Sequence, residues 1–141
     1  MRTLTLPITV GFYDFDPAQI ANNGSYIRWL EQGRGAWLAQ SPWPLVRCVA
    51  EGIAPVLTRT EIDYLRPLRL GEPVQLVLWG ERSGASVWEL GFVFEHPEED
   101  CIYARAHQEG CFVRLPAGRP IRMPADLQAW MKEFGEQGRV E

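Results

Sequence analysis

The chain has 141 residues, 46% of them hydrophobic and 23% charged, with a formal net charge of −4. That length favours one domain, 1–141, able to bury a core without disulfides or metal staples. The acidic balance argues against a nucleic-acid polymer or an anionic membrane as main partner, and six tryptophans at this charged fraction exclude a disordered composition.

Residues 3–13 alternate, with Leu4, Leu6, Ile8, Val10 and Phe12 on one face and Thr3, Thr5, Thr9 and Tyr13 on the other. This pattern predicts a half-buried strand. Pro17, Asn22 and Asn23 then break it. Over residues 24–40, Tyr26, Ile27, Leu30, Trp37 and Leu38 follow a helical period, with Asn22 or Asn23 as N-cap. Gly33 and Gly35 each cost such a helix roughly 1 kcal/mol relative to alanine, so their presence predicts something packed close against it. Ser41-Pro42-Trp43-Pro44 ends the helix, and a loop or short helix runs to Gly52. Residues 55–65, 74–80, 87–95 and 102–115 are rich in β-branched and aromatic side chains and read as strands. Turns separate them at 70–73, 83–84 and 96–100. A last helix over 125–134 carries Leu127, Trp130, Met131 and Phe134 on one face, and 135–141 is expected to fray. The order predicts an α+β domain whose antiparallel sheet covers one dominant helix. The sheet's other face, or an edge, then meets solvent or a partner subunit.

Cys48, Cys101 and Cys111 are an odd set without C-x-x-C spacing, which suggests neither a disulfide framework nor a zinc site. Along one extended strand, Cys101 and Cys111 would stand about 33 Å apart, too far to bridge. A reduced intracellular setting follows. Residues 1–7 alternate and soon meet Pro7, unlike a signal peptide. No apolar run reaches the ~18 residues a membrane span needs, so the expected location is cytoplasmic.

Serine-hydrolase chemistry is disfavoured, because no G-x-S-x-G elbow occurs. His96 beside Glu98, Glu99 and Asp100 reads as a solvated hairpin tip rather than a metal cluster, and His107 as structural. No glycine-rich phosphate loop is present. Neither a metal nor an organic cofactor is expected. Lys132 is the only lysine, so nearly all positive charge is arginine. Codon usage or bidentate recognition of phosphate and carboxylate would each account for that.

Tyr13-Asp14-Phe15-Asp16-Pro17 stands out. Continued alternation would place Asp14 and Asp16 on the parity of the apolar face, and Pro17 holds Asp16 extended. The chain then reaches a helix start, whose first N–H groups are unpaired and partly positive. A carboxylate beside such an end offers a nucleophile or base next to an oxyanion site. Aspartates between a strand and a helix also serve as plain turn formers or caps.

The run from Val10-Gly-Phe-Tyr-Asp-Phe-Asp16-Pro through Asn22-Asn23-Gly-Ser-Tyr26 to Glu31 and Arg34 resembles the signature of the 4-hydroxybenzoyl-CoA thioesterase family of hot-dog proteins. Residues 62–72 and 118–124 resemble that family's strand and turn after the helix and its exit into the C-terminal helix. The resemblance implies a hot-dog fold, an antiparallel sheet wrapped around one long helix. It also implies a homodimer or homotetramer with active sites between subunits, acting as an acyl-CoA thioesterase. On it, Asp16 is the catalytic carboxylate and the backbone N–H of Asn23 polarises the thioester carbonyl. Tyr26 and Glu31 would bind substrate, with Glu31 facing the acyl pocket, and Arg82, Arg114 and Arg119 would hold the CoA nucleotide. Many members carry histidine where this chain has Asn23; a backbone donor survives the change, an imidazole role does not.

Thioester hydrolysis expels a thiolate, and a thiol pKa of about 8.5 means little protonation help is needed. One carboxylate and one oriented N–H can suffice, with Asp16 attacking the carbonyl or deprotonating water. Two other readings use the same residues: an acyl-carrier-protein thioesterase, and a hot-dog protein that binds acyl thioesters without hydrolysing them. A hydratase is disfavoured, since its pattern of aspartate and histidine five apart meets Ala21 here.

Overall fold

The alternation of residues 3–13 yields only four residues of strand, β1 (Leu4–Pro7), in a computed structural model that describes residues 3–135 and, at 82, 83 and 134, the backbone alone. Ile8 and Val10 keep the pattern as half-buried residues, but Phe12 is 91% exposed. Its expected place on the apolar face is therefore corrected. The cause is local. The Asp14 carboxylate accepts the Gly11 N–H at 2.6 Å and its own N–H donates to the Gly11 carbonyl at 3.0 Å, winding Phe12–Asp14 into a 3-10 turn. The expected fraying of the C-terminus falls mostly on 136–141, outside the described residues.

Helix α1 (Asn23–Gln40) forms where its periodicity predicts, and Asn22 caps it by accepting the Ser25 N–H at 2.9 Å. Its buried face is Tyr26, Trp29, Leu30, Gly33 and Trp37, while Ile27 stays 45% exposed. A Cβ on Gly33 would stand 2.7 Å from Leu76 Cδ2, so one glycine does mark close packing. Gly35 does not, for nothing lies within 4 Å of its Cβ position. The Ser41 N–H and hydroxyl both bond the Leu38 carbonyl and close the helix. A short helix α2 (Leu45–Glu51) follows and ends at Gly52, whose φ of 73° lies in the left-handed region.

The long strands are β2 (Ile53–Tyr64), β3 (Gln75–Ser83), β4 (Val87–Glu95) and β5 (Ile102–Arg114). A three-residue β6 (Arg119–Ile121), too short and too proline-rich to show a period, pairs with the end of β5. The sheet order is β1-β3-β4-β5-β2, antiparallel throughout. Trp29, Leu30 and Trp37 of α1 share one core with Leu76, Leu78, Leu90, Phe92 and Phe94 of the sheet. Each such side chain contributes roughly 1.5–3 kcal/mol on burial, so α1 is fixed against the sheet and its N-terminus is held in place. Helix α3 (Ala125–Gly135) adds Leu127 and Met131 to this core and sets Trp130 edge-on to Trp37 at 5.0 Å. Cys48, Cys101 and Cys111 are all free thiols.

Candidate functional site

Asp14 and Asp16, alike in sequence parity, have opposite surroundings. Asp14 is wholly buried and accepts hydrogen bonds from Gly11 N–H, from the Ser25 hydroxyl at 2.7 Å and from Arg28. Burial pushes its carboxyl up, but the bonds from Ser25 and Gly11 and the Arg28 charge outweigh that and hold it below the usual value. Asp16 is exposed. Its Oδ1 accepts the N–H groups of Ala18 at 2.8 Å and Ile20 at 3.3 Å, an Asx-type turn, and Oδ2 makes no hydrogen bond among the described residues. The turn passes through Gln19 at φ 63°, and the loop is pinned to the segment before β3 by Ala21 N–H on Leu68 O and Leu70 N–H on Gln19 O.

The loop, the start of α1 and the end of β2 border an open cavity of about 510 Å³, lined among others by Asp16, Asn22, Asn23, Tyr26, Tyr64 and Arg66. Asn22 N–H is taken by Asp14 O and Ser25 N–H by the cap. The N–H groups of Asn23 and Gly24 have no acceptor among the described residues, as the first turn of a helix leaves them. The macrodipole favours developing negative charge at this end. Tyr26 is buried edge-to-face against Tyr64, Trp29 and Phe94, with centroids 5.2, 5.3 and 5.0 Å away. Burial, with smaller effects from Tyr64 and Glu72, pushes its phenol up to about 12. At neutral pH it is therefore an un-ionised phenol, able to donate its O–H.

Asp16, Asn23 and Tyr26 thus meet at one cavity, and the other expected residues do not. Glu31 sits eight positions beyond Asn23 and lines a different cavity. Arg114 and Arg119 pair with each other, and Arg114 lies opposite Ile53, whereas Tyr64 at the cavity lies opposite Ala104. That separates them from the cavity by about 33 Å of ladder. Arg82 lies opposite Glu89 in β3, and its side chain falls outside the described residues. The cavity's cation is instead Arg66, which sequence reasoning missed. Arg66-Pro67 ends the strand segment that resembles the family's, and a residue before proline is held extended. Arg28, three positions after Ser25, was also missed; it joins Ser25 on Asp14.

On the opposite face of the sheet, His107 Nδ1 lies 2.7 Å from Glu81, and Nε2 lies 3.3 Å from Glu109 and 3.4 Å from Glu89. Burial pushes its pKa down, but the hydrogen bonds to Glu109 and Glu81 and the carboxylate charges raise it overall. Glu89, His107 and Glu109 are close enough to hold a cation, and in its protonated form His107 would itself neutralise part of their charge. His96 turns inward on its own hairpin, where Nδ1 accepts the N–H groups of Glu98 and Glu99 at 3.0 Å. No helix among the described residues is long and apolar enough to cross a membrane.

Residues 10–131 match the family model described as the thioesterase-like superfamily. A 1,4-dihydroxy-2-naphthoyl-CoA hydrolase of Thermosynechococcus vestitus is 25% identical over 130 residues, 92% of this chain and 88% of that protein. Among solved structures, a 1,4-dihydroxy-2-naphthoyl-CoA thioesterase from Synechocystis superposes with a TM-score of 0.83 at 20% identity, covering 94% of this chain and 97% of that one. A Staphylococcus aureus protein in complex with CoA gives 0.91 at 11% identity, covering 99% and 88%. These likenesses show the hot-dog fold.

Proposed function

The chain belongs to the thioesterase-like superfamily and is a thioester hydrolase; from that premise we propose that it hydrolyses acyl-CoA with Asp16 as the reacting carboxylate and the Asn23 N–H as oxyanion donor. The observation that carries this reading is a single cavity shared by a carboxylate with one unengaged oxygen and a helix N-terminus with unengaged N–H groups. The carbonyl oxygen of the thioester would point at the start of α1. Asp16 would attack the carbonyl carbon, or take a proton from an attacking water, and the C–S bond would break as the oxyanion collapses. Either route consumes one water and releases a carboxylate and a thiol. The Tyr26 phenol would donate to the acyl group.

Two features favour an aryl acyl group of the 4-hydroxybenzoyl type. Tyr26 and Tyr64, packed edge-to-face on each other, both line the cavity, and the Thermosynechococcus relative is named for an aromatic acyl-CoA. Arg66 is the cation at hand for the CoA phosphates within one chain. Arg114 and Arg119 could contact CoA only at the site of a second copy.

Asp16→Asn is the direct test, because asparagine keeps the Oδ1 acceptor that builds the Asx turn and removes only the charge. Thiol release from a panel of aryl- and alkyl-CoAs should fall by about 10²–10⁴ while the melting temperature holds. Turnover equal to wild type would exclude the mechanism.

A further inference from the structure

On the face of the sheet turned away from α1, the alternation of β5 sets His107 and Glu109 side by side. The ladder adds Glu89 of β4 directly opposite Glu109, and Gly91 directly opposite His107. Glu81 reaches the same spot from β3. Its Oε2 lies 2.7 Å from His107 Nδ1, and its Oε1 lies 2.5 Å from where a Cβ on Gly91 would stand. Only a glycine at 91 leaves Glu81 room to meet the imidazole. All four side chains are no more than 31% exposed. Like charges directly across a ladder repel, and partly buried carboxylates call for a compensating charge.

The separations around the imidazole differ in kind. Glu81 to Nδ1 has the length of a charge-assisted hydrogen bond, usually about 2.7–2.9 Å. Nε2 stands 3.3 Å from Glu109 Oε1 and 3.4 Å from Glu89 Oε1, too long for such a bond to either. These are the spacings of donors that share one cation. With metal–nitrogen and metal–oxygen bonds of about 2.0–2.1 Å, the corners of a tetrahedron lie about 3.3–3.4 Å apart. An Nδ1–H given to a carboxylate is also the usual second contact of a metal-bound histidine, because it fixes the tautomer that leaves the Nε2 lone pair free. One donor beside Glu81 is unanswered. Trp79 Nε1 is buried without an acceptor among the described residues, and the ring carbon bonded to it lies 2.6 Å from the same Gly91 Cβ position. It calls for an oxygen on this flank, such as a water held by the cation.

We propose that Glu89, His107 and Glu109 bind a single divalent transition-metal ion of the zinc type, with Glu81 as the positioning carboxylate behind His107. The three donor atoms already lie within 4.8 Å of one another, and a turn of either carboxylate closes the third edge. Each carboxylate gives one oxygen, which leaves the other for neighbours such as Arg59, opposite Glu109 on β2. The imidazole favours zinc over Mg²⁺, which prefers oxygen ligands and gives up its water reluctantly. The ion ties β4 to β5 and, through Glu81, both to β3. It lies across the sheet from the Asp16 cavity, so its role is structural and rests on no reading of Asp16.

The full chain, stripped with a chelator and returned to plain buffer, should bind one Zn²⁺ per chain saturably by isothermal titration. Mg²⁺ should bind at least about tenfold more weakly, and the melting temperature should rise with added Zn²⁺. Co²⁺ should give the visible bands of a four-coordinate ion without the near-ultraviolet absorption of a thiolate, which separates this site from Cys48, Cys101 and Cys111. Glu109→Gln removes one of two facing like charges and should fold as wild type does, yet it should lose saturable binding, as should His107→Gln. Glu81→Gln should weaken Zn²⁺ by about 10–100-fold. Asp16→Asn should bind Zn²⁺ as wild type does, whatever becomes of its turnover. No saturable binding of Zn²⁺, a thiolate band with Co²⁺, or wild-type affinity in Glu109→Gln and His107→Gln would each overturn the proposal.

Discussion

Asp14 accepts hydrogen bonds from Gly11, Ser25 and Arg28 with none of its own surface in solvent, and its carbonyl takes the Asn22 N–H that sets the cap of α1. It therefore fixes both sides of the loop carrying Asp16 without lining the cavity. In Asp14→Asn the amide group must face a donor that the second carboxylate oxygen formerly accepted, leaving a buried N–H or hydroxyl unsatisfied. That should cost about 2–3 kcal/mol at neutral pH. The pH dependence has a definite sign. Because the folded pKa lies below the ordinary carboxylate value, the stabilisation is present above the unfolded pKa of about 3.9 and is lost as pH falls through the folded one. Urea midpoints for wild type and Asp14→Asn, taken from neutral to acid pH, should therefore converge. A constant gap across that range would mean the charge plays no part.

Two features of α1 can be tested at the scale of the element. Proline is well accepted at the first helical position, where the N–H has no partner within the helix. The residue before it must be extended, and Asn22 has φ −79° and ψ 159°. Asn23→Pro should thus remove the donor proposed to bind the oxyanion at little cost in stability, and lower kcat by about 10²–10³. A folded variant with wild-type kcat would put the oxyanion elsewhere, on Gly24 or a side chain. The glycines give a contrast in stability. Gly35→Ala enters open space and should gain up to about 1 kcal/mol of helix propensity. Gly33→Ala meets Leu76 Cδ2 at 2.7 Å, so crowding of about 1–3 kcal/mol should cancel the gain or exceed it. Chemical denaturation of both variants checks the difference. In the sequence these glycines look alike, because helical period says which face a residue occupies and nothing about how near the next element comes. The same limit explains β1. Its alternation runs to Phe12, but the Asp14 carboxylate captures Gly11 N–H and ends the extended backbone. Helix α1 and strand β4 were legible because period and flanking turns agree there. Asp16, Asn23 and Tyr26 were legible because one loop and one helical turn bring them together. Arg66 was not, since only the folding of the segment after β2 onto that loop brings it to the cavity.

At the scale of the whole molecule, one chain leaves two things unfinished along β2. The strand pairs with β5 on one side only. Near it lie exposed apolar side chains, with Leu57 42%, Tyr64 52% and Leu65 52% exposed, and Ile27 of α1 45% exposed. A long edge of this kind is an invitation to pair, and a twofold arrangement is the usual way a chain meets its own copy. Two β2 strands running antiparallel would bring the Ile53 end of one copy to the Tyr64 end of the other. Arg114, opposite Ile53, would then approach the partner's cavity, which is the one way the arginines expected to hold CoA can reach it. Sedimentation equilibrium should accordingly give at least twice the 16.1 kDa of a single chain. Leu57→Lys should weaken the association by placing charge on that edge. Arg114→Ala should raise KM for acyl-CoA in the dimer with kcat little changed, the more so at low salt, where exposed charges are least screened. The two variants must also agree. Once Leu57→Lys has made the chain monomeric, adding Arg114→Ala should change KM no further, because no second copy remains to supply the arginine. A monomeric wild type with full activity, or an Arg114→Ala effect that persists in the monomer, would mean that each chain holds CoA by itself.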